Sequence, residues 1–468
     1  MGVPELDAER RLTPKGRATR DRIVQAAAEL IVNEGLTAFN MDRVRKAASV
    51  SGSQLAHYFT DKRALVRAVI ARQIGVVLDF HRQPKLGDLD SFDDFERWLD
   101  LNMRYLRSIG TAGGTPTYHA LTAQLAKSDG VIRATLAAGY WHWVELLEQG
   151  IQRMKDQRAL SPAADPRRLA LTIVCAHQGG ATLAFTYRAE WPHADATRFA
   201  VNYLRLFATD PAERTPRPPR RPRGARGPGA ETRARRLSGN VNEDSTSRFT
   251  RKGMATRARI VGVAGRLMFE RGVADTSVDE VRSAAGVSGS QIAHYFHDKR
   301  DLTRQVIGTR RNDVKAFHTQ PQLGALDSLA ALQVWADACG ADVDTVYRVG
   351  GCVYGSLAGE LIDADDEIHA DLAAGYDEWL ELFRIGLAGM RHRGELRPEA
   401  DPRHLAVALV TAHQGGAMIT HTTDDPQPLR VAVDAAVDYV RCFAARPNTA
   451  ANATRHRAKA RQAPASTA

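Results

Sequence analysis

The chain repeats itself. The string SVSGSQLAHYFTDKRAL at Ser49–Leu65 returns as GVSGSQIAHYFHDKRDL at Gly286–Leu302, displaced by 237 residues, and 18 of the 26 residues from 40 to 65 are identical to their counterparts. The match runs on through Leu86–Ser91 against Leu323–Ser328. One residue is lost near Thr115, after which the displacement is 236 and Ala176–Ala181 matches Ala412–Ala417. A repeat this long is a tandem copy of whole domains, not a solenoid with units of about 20–50 residues. Both halves must therefore share one fold, and 468 residues leave room for two to four domains.

Between the copies lies a Pro-, Gly- and Arg-rich segment, 211–247, without apolar periodicity, which predicts a disordered linker. A second basic segment, 446–468, predicts a disordered tail. These two segments explain the net charge. Of the formal +10, residues 211–240 carry +7 and the tail +5, which leaves −2 for everything else. The folded part is not basic, so a claim of DNA binding must rest on a motif.

Each copy reads as nearly all helix. Ala26, Ala27, Leu30 and Ile31 form a helical stripe expected to stop at Gly35, and Val263, Leu267 and Met268 one that stops at Gly272. Ser277-x-x-Glu280 is a capping-box pattern, with Asn40 as the cap in the first copy. Asp165-Pro166 and Asp401-Pro402 each place a cap before a proline in the first helical turn. The fold class expected is all-α. The most apolar run, Leu169–Tyr187, holds His177 and Gln178 at its middle and predicts a core helix, not a membrane span. A charged N-terminus predicts no secretory signal, and four scattered cysteines (Cys175, Cys339, Cys352, Cys442) fit core positions in a reducing cytoplasm.

Met41–Ala48, Ser49-Val50-Ser51 and Gly52–Phe59 have the spacing of a helix-turn-helix: a short helix, a tight turn, a second short helix capped by Ser51. Small Ala47 and Ala48 let the two helices pack closely. The order of helix, short helix, Val-Ser and then H-Y-F-x-x-K resembles the N-terminal domain of the tetracycline-repressor (TetR) family of bacterial regulators, and it occurs twice. The resemblance implies two tandem repeats: helix-turn-helix domains at 16–66 and 253–303, followed by helical ligand-binding and dimerisation domains at 67–210 and 304–445. It implies DNA contacts from Arg45, Ser51, Ser53, Gln54, His57, Tyr58 and Lys62, and from Arg282, Ser288, Ser290, Gln291, His294, Tyr295 and Lys299. Of these, Ser53, Gln54, Ser290 and Gln291 would face the bases, where glutamine can pair with adenine N6 and N7. His57, Tyr58, Lys62, His294, Tyr295 and Lys299 would hold phosphates. Where many members have tyrosine in an L-Y-x-Y-F pattern, Ala56 and Ala293 stand here, so that phosphate contact is expected to be missing.

In the second part of each copy the signal is weaker. Trp98, Tyr118, Trp143 and His177, with Trp335, Tyr354, Trp379 and His413, are candidates to line an apolar effector pocket, and Tyr105 sits among them. The Gly351-Cys352-x-x-Gly355 pattern resembles one branch of the family, but the first copy has Pro116 in place of the cysteine. Gly179-Gly180 and Gly415-Gly416 fall mid-helix, where glycine costs about 1 kcal/mol against alanine, and close helix approach would offset that.

The resemblance thus implies a cytoplasmic, sequence-specific regulator of transcription. It would be a repressor that reads an inverted-repeat operator in double-stranded DNA with both units of one chain, and that a small-molecule effector releases. No membrane contact, cofactor or metal is expected. The 37-residue linker, as a flexible coil, would span roughly 35 Å. That reach suits an intrachain pseudo-dimer, with a homodimer as the alternative. A ligand-binding or scaffold protein that no longer regulates transcription is the competing reading. An enzyme is not expected: G-x-S-x-G, H-E-x-x-H and a paired acid constellation shared by both halves are lacking.

Overall fold

A computed structural model describes residues 12–111, 115–219 and 249–445, with the side chains of 34–38 left out. The tail at 446–468 and most of the expected linker lie outside the described residues. Within them, helices and their connections form both copies, with two isolated bridges (Leu160 to Ala208, Leu396 to Ala444) as the extended pairing. In the first copy the helices are α1 (Pro14–Ala38), α2 (Met41–Ala47), α3 (Gly52–Tyr58), α4 (Lys62–Arg82), α5 (Phe92–Ile109), α6 (Tyr118–Leu125), α7 (Gly130–Asp156), α8 (Pro166–Tyr187) and α9 (Trp191–Arg205). In the second they are α10 (Arg251–Arg271), α11 (Val278–Ala284), α12 (Gly289–Tyr295), α13 (Lys299–His318), α14 (Leu329–Ala341), α15 (Gly355–Glu360), α16 (Asp366–His392), α17 (Pro402–Thr423) and α18 (Gln427–Arg441).

The helix starts are set by local side-chain chemistry. Asn40, Ser91, Asp165 and Asp401 each accept a hydrogen bond from a backbone N–H of the first turn, and Ser277 and Glu280 complete a reciprocal capping box. One stop differs from expectation. Helix α10 ends at Arg271, with Gly272 at φ +97°, but α1 runs past Gly35 to Ala38.

The two copies pack on each other through α8 and α9 of one and α17 and α18 of the other. Helix α8 is long and apolar enough to cross a membrane, but 94% of its apolar window is buried inside the molecule. The glycine pairs divide the work. A Cβ on Gly180 would press on Ala196 of α9, and one on Gly416 on Leu429 of α18, each within its own copy. Gly179 and Gly415 instead admit the opposing copy's backbone. Further links cross the junction: Asn202 Nδ2 donates to Tyr439 Oη (2.9 Å), Tyr187 Oη donates to Asp377 (2.8 Å), and the guanidinium of Arg403 lies 4.9 Å from the ring centre of Trp191.

The expected linker boundary at 211 moves. Pro211–Arg214 forms a short 3-10 turn, and Asn202 pairs with the backbone N–H and C=O of Arg217. Arg217 then joins Arg198 and Arg205 around the buried carboxylate of Glu96, at 3.3, 2.7 and 3.1 Å. An arginine-rich composition looks solvated in the sequence, but a buried acid on α5 captures one of its arginines, Arg217. Burial pushes the Glu96 carboxyl up and the arginine hydrogen bonds outweigh it, so its pKa ends below the usual range. The start of this segment is therefore part of the first copy's fold.

Candidate nucleic-acid interface

Helices α2 and α3 pack through Val44 and Leu55, both buried, and the turn between them needs a left-handed residue. In the second copy that residue is Gly286 (φ +60°), and in the first it is Ser49 (φ +52°). Past the turn, Ser51 accepts a hydrogen bond from Gln54 N (3.1 Å) while Gln54 Oε1 accepts one from Ser51 N (2.9 Å). Ser288 and Gln291 do the same at 3.1 and 2.8 Å. The serine pairs Ser51–Ser53 and Ser288–Ser290 are also hydrogen bonded, each at 2.9 Å.

The glutamines therefore have a structural role that was not expected of them. Each carboxamide oxygen holds its helix start, and the NH2 end is the part left to face outward. Ser53, Gln54 and His57, with Ser290, Gln291 and His294, are exposed on one face of their helices. Tyr58 and Tyr295 are half-buried, with hydroxyls beside the first turns of α1 and α10 at Gly16 and Gly253.

The two lysines open the helix that follows each reading helix. Lys62 Nζ sits 5.3 Å from the ring centre of Phe39, and Lys299 Nζ donates to the Ala274 carbonyl at 3.2 Å. Burial lowers the pKa of both ammonium groups. Each ammonium group thus lies beside the link between the first two helices of its unit, with Lys62 exposed and Lys299 half-buried. Arg45 pairs with Asp42 (2.7 Å), as Arg282 does with Asp279 (3.2 Å). These are exposed pairs of small net worth, open to exchange for phosphate. Lys46 shares Asp42 at 2.9 Å, and its counterpart is Ser283. The first unit thus presents more cations on this helix.

The aromatic residues expected to line a pocket in the second domains are hydrogen bonded within the core. Trp98 and Trp143 both donate their indole N–H to His81 Nε2, at 2.9 and 3.1 Å, while His81 Nδ1 bonds the Val77 carbonyl at 2.7 Å. The second copy repeats this: Trp335 and Trp379 meet His318 Nε2 at 3.1 and 2.9 Å. All four tryptophans are buried, with their one polar group satisfied. Tyr118 and Tyr354 donate to the carbonyls of Leu136 and Leu372. His177 is held by Asn102 and Gln178, and His413 by Tyr347 and Gln414. Tyr105, by contrast, is exposed. Apart from Tyr105 and His177, these candidates are buried parts of the core. The histidines that organise it, His81 and His318, were missed. Their signal was in the sequence, in the repeated F-H-x-Q-P-x-L-G-x-L-D-S.

The geometry of two capped helix-turn-helix units meets a matching sequence profile. The profile of the bacterial regulatory proteins of the tetR family matches residues 23–69 and again 260–306, and that of the tetracyclin repressor-like C-terminal domain matches 328–436. The chain belongs to the TetR family. Among TetR-like relatives, an uncharacterized helix-turn-helix regulator of Pseudomonas putida, TtgW, is 33% identical over 130 residues, which cover 28% of this chain and 92% of TtgW. The transcriptional regulator AcuR of Cereibacter sphaeroides is 28% identical over 165 residues, 34% of this chain and 74% of AcuR. The crystal structure of a TetR regulator from Chloroflexus aurantiacus aligns with 25% identity and a TM-score of 0.38, covering 42% of this chain and 98% of that one. The chain is a DNA-binding transcriptional regulator that carries the TetR unit twice.

Proposed function

We propose that this TetR-family chain is a complete operator reader in one polypeptide: a repressor whose two helix-turn-helix units bind an inverted repeat and which a small molecule releases. The observation that carries this reading is the identity of the two reading faces. Ser51–Tyr58 and Ser288–Tyr295 differ only at Leu55 and Ile292, and both of those side chains are buried. Everything the two helices present outward is the same, so both call for the same half-site. Ser53 and Gln54, with Ser290 and Gln291, are the proposed base-facing residues. His57, Tyr58, Lys62 and Arg45, with His294, Tyr295, Lys299 and Arg282, are the proposed phosphate contacts. The segment 211–247, beyond its ordered start, is the proposed tether between the domains, and the proposed site of action is the cytoplasm, with the DNA.

Selection from random duplex DNA tests the reading. An inverted repeat with nearly matching half-sites is expected, and two unrelated half-sites, or no enrichment, would contradict it.

A further inference from the structure

Between α6 of the first copy and α15 and α17 of the second lies a cavity that offers about 40 Å3 to the centres of water-sized atoms, where one water needs roughly 10–15 Å3. A molecule of a few heavy atoms fits that space. Ala123, Ala126, Gly355 and Met418 give it small or apolar walls. Two polar atoms in this lining, Ser356 Oγ and His421 Nε2, are buried without a hydrogen-bond partner among the described residues. A buried polar atom without a partner has lost its hydration and gained nothing in return, which marks such atoms as places for a ligand or water.

Their chemistry is defined. His421 Nδ1 lies 3.0 Å from the Arg348 carbonyl, which can only accept, so the proton sits on Nδ1 and Nε2 offers a lone pair. Burial pushes this histidine down to about 4, so the ring is neutral. Ser356 supplies a hydroxyl that can donate. The nearby Lys127–Glu360 pair (2.6 Å) is internally compensated, so an ion entering the cavity would find no spare counter-charge.

The pseudo-equivalent place on the other side of the junction is filled. Gly355 corresponds to His119, His421 to Phe185, and Ala126 to Ile362. His119 stacks on Phe185 with ring centres 5.8 Å apart, and Phe185 packs in one apolar cluster with Ile362. Three larger side chains thus occupy what the first site leaves open.

We infer that the chain has one effector site instead of two, at this junction, and that it takes a small uncharged molecule with a hydrogen-bond donor beside an acceptor, such as a short primary amide or alcohol. The site is wired to one DNA-binding unit. Glu360 accepts from Val273 N just after α10, and Lys127 of the first copy donates to the Met268 carbonyl in the last turn of α10 at 3.1 Å. In the twin position Gln124 and Asp363 replace Glu360 and Lys127, so the same ion pair cannot form there. A ligand that shifts α15 would therefore move the second unit against the first. This inference rests on the effector-controlled reading above, and its test separates the two.

The probe is propionamide, with methyl acetate as an isostere that lacks a donor. The readout is the methyl resonance of Met418 in full-length protein carrying 13C-methyl methionine. Propionamide should give a saturable shift with one equivalent per chain, and methyl acetate should bind at least tenfold more weakly. His421→Phe, which copies the closed twin, should abolish the shift, and Ser356→Ala should weaken binding several-fold while the other methionine resonances hold. Two equivalents per wild-type chain, no saturable shift, or an unaltered shift in both variants would overturn the site. A saturable Met418 shift with unchanged operator affinity would leave the site standing and remove the effector reading instead.

Discussion

Gly179 and Gly415 meet backbone to backbone at the centre of the molecule. A Cβ on Gly179 would fall 1.8 Å from the Thr411 carbonyl oxygen, and one on Gly415 would fall 1.7 Å from that of Cys175. Backbone cannot swing aside as a side chain can, so α8 and α17 would have to separate. Gly179→Ala or Gly415→Ala should each cost about 3 kcal/mol, at the upper end for overpacking. Gly180→Ala should strain only the first copy, against Ala196 and His193. Denaturant melts of the three variants check this. Equal and small losses would contradict the close approach.

Ser49 holds a left-handed conformation that its counterpart Gly286 adopts without strain. A non-glycine residue there costs roughly 1–2 kcal/mol, partly offset by the greater freedom of unfolded glycine. Ser49→Gly should stabilise the first helix-turn-helix by about 0.5–1 kcal/mol, and Gly286→Ser should destabilise the second by a similar amount. Hydrogen exchange at Val50 and Val287 resolves the two units. Stabilisation by both changes would refute the argument.

The glutamine assignment now separates into two effects. Gln54→Glu keeps an oxygen for the Ser51 N–H but removes the outward donor, whereas Gln54→Ala loses both. The glutamate variant should keep its melting temperature and lose about 1–3 kcal/mol on the selected operator. The alanine variant should lose about 1 kcal/mol of stability as well. Equal weakening on operator and random DNA would remove Gln54 from base recognition.

His81 and His318 make the core acid-sensitive. Burial holds both at about 4, against about 6.5 when unfolded. Between these values the unfolded chain binds more protons, so stability is fully present above pH 6.5 and falls as the pH drops toward 4. Tryptophan fluorescence should report the transition, because the indole donors meet these rings. His81→Phe, which leaves two buried N–H groups without an acceptor, should cost about 2–4 kcal/mol. Melting temperatures flat from pH 7 to 4.5 would contradict this.

The repeat, the all-helical fold and the helix-turn-helix were legible because caps, turns and apolar stripes are local chemistry. Ser51 is legible as a cap, but Gln54, which completes a capping box like that of Ser277 and Glu280, reads from the sequence only as a base contact. The tryptophan role was not legible residue by residue, since the clamp joins α4, α5 and α7 from points 17 and 62 residues apart. The open cavity required both copies at once. Its difference from the closed twin lies in Gly355, His421 and Ala126 set against His119, Phe185 and Ile362, and these matter only once α6 and α15 are known to meet.

The central claim is that one chain reads one operator. Light scattering on the chain with its selected operator at micromolar concentration tests it most directly. The account predicts one 51.3 kDa chain per duplex, and the same protein mass without DNA. A stable protein mass of twice that, with two chains on each operator, would contradict it.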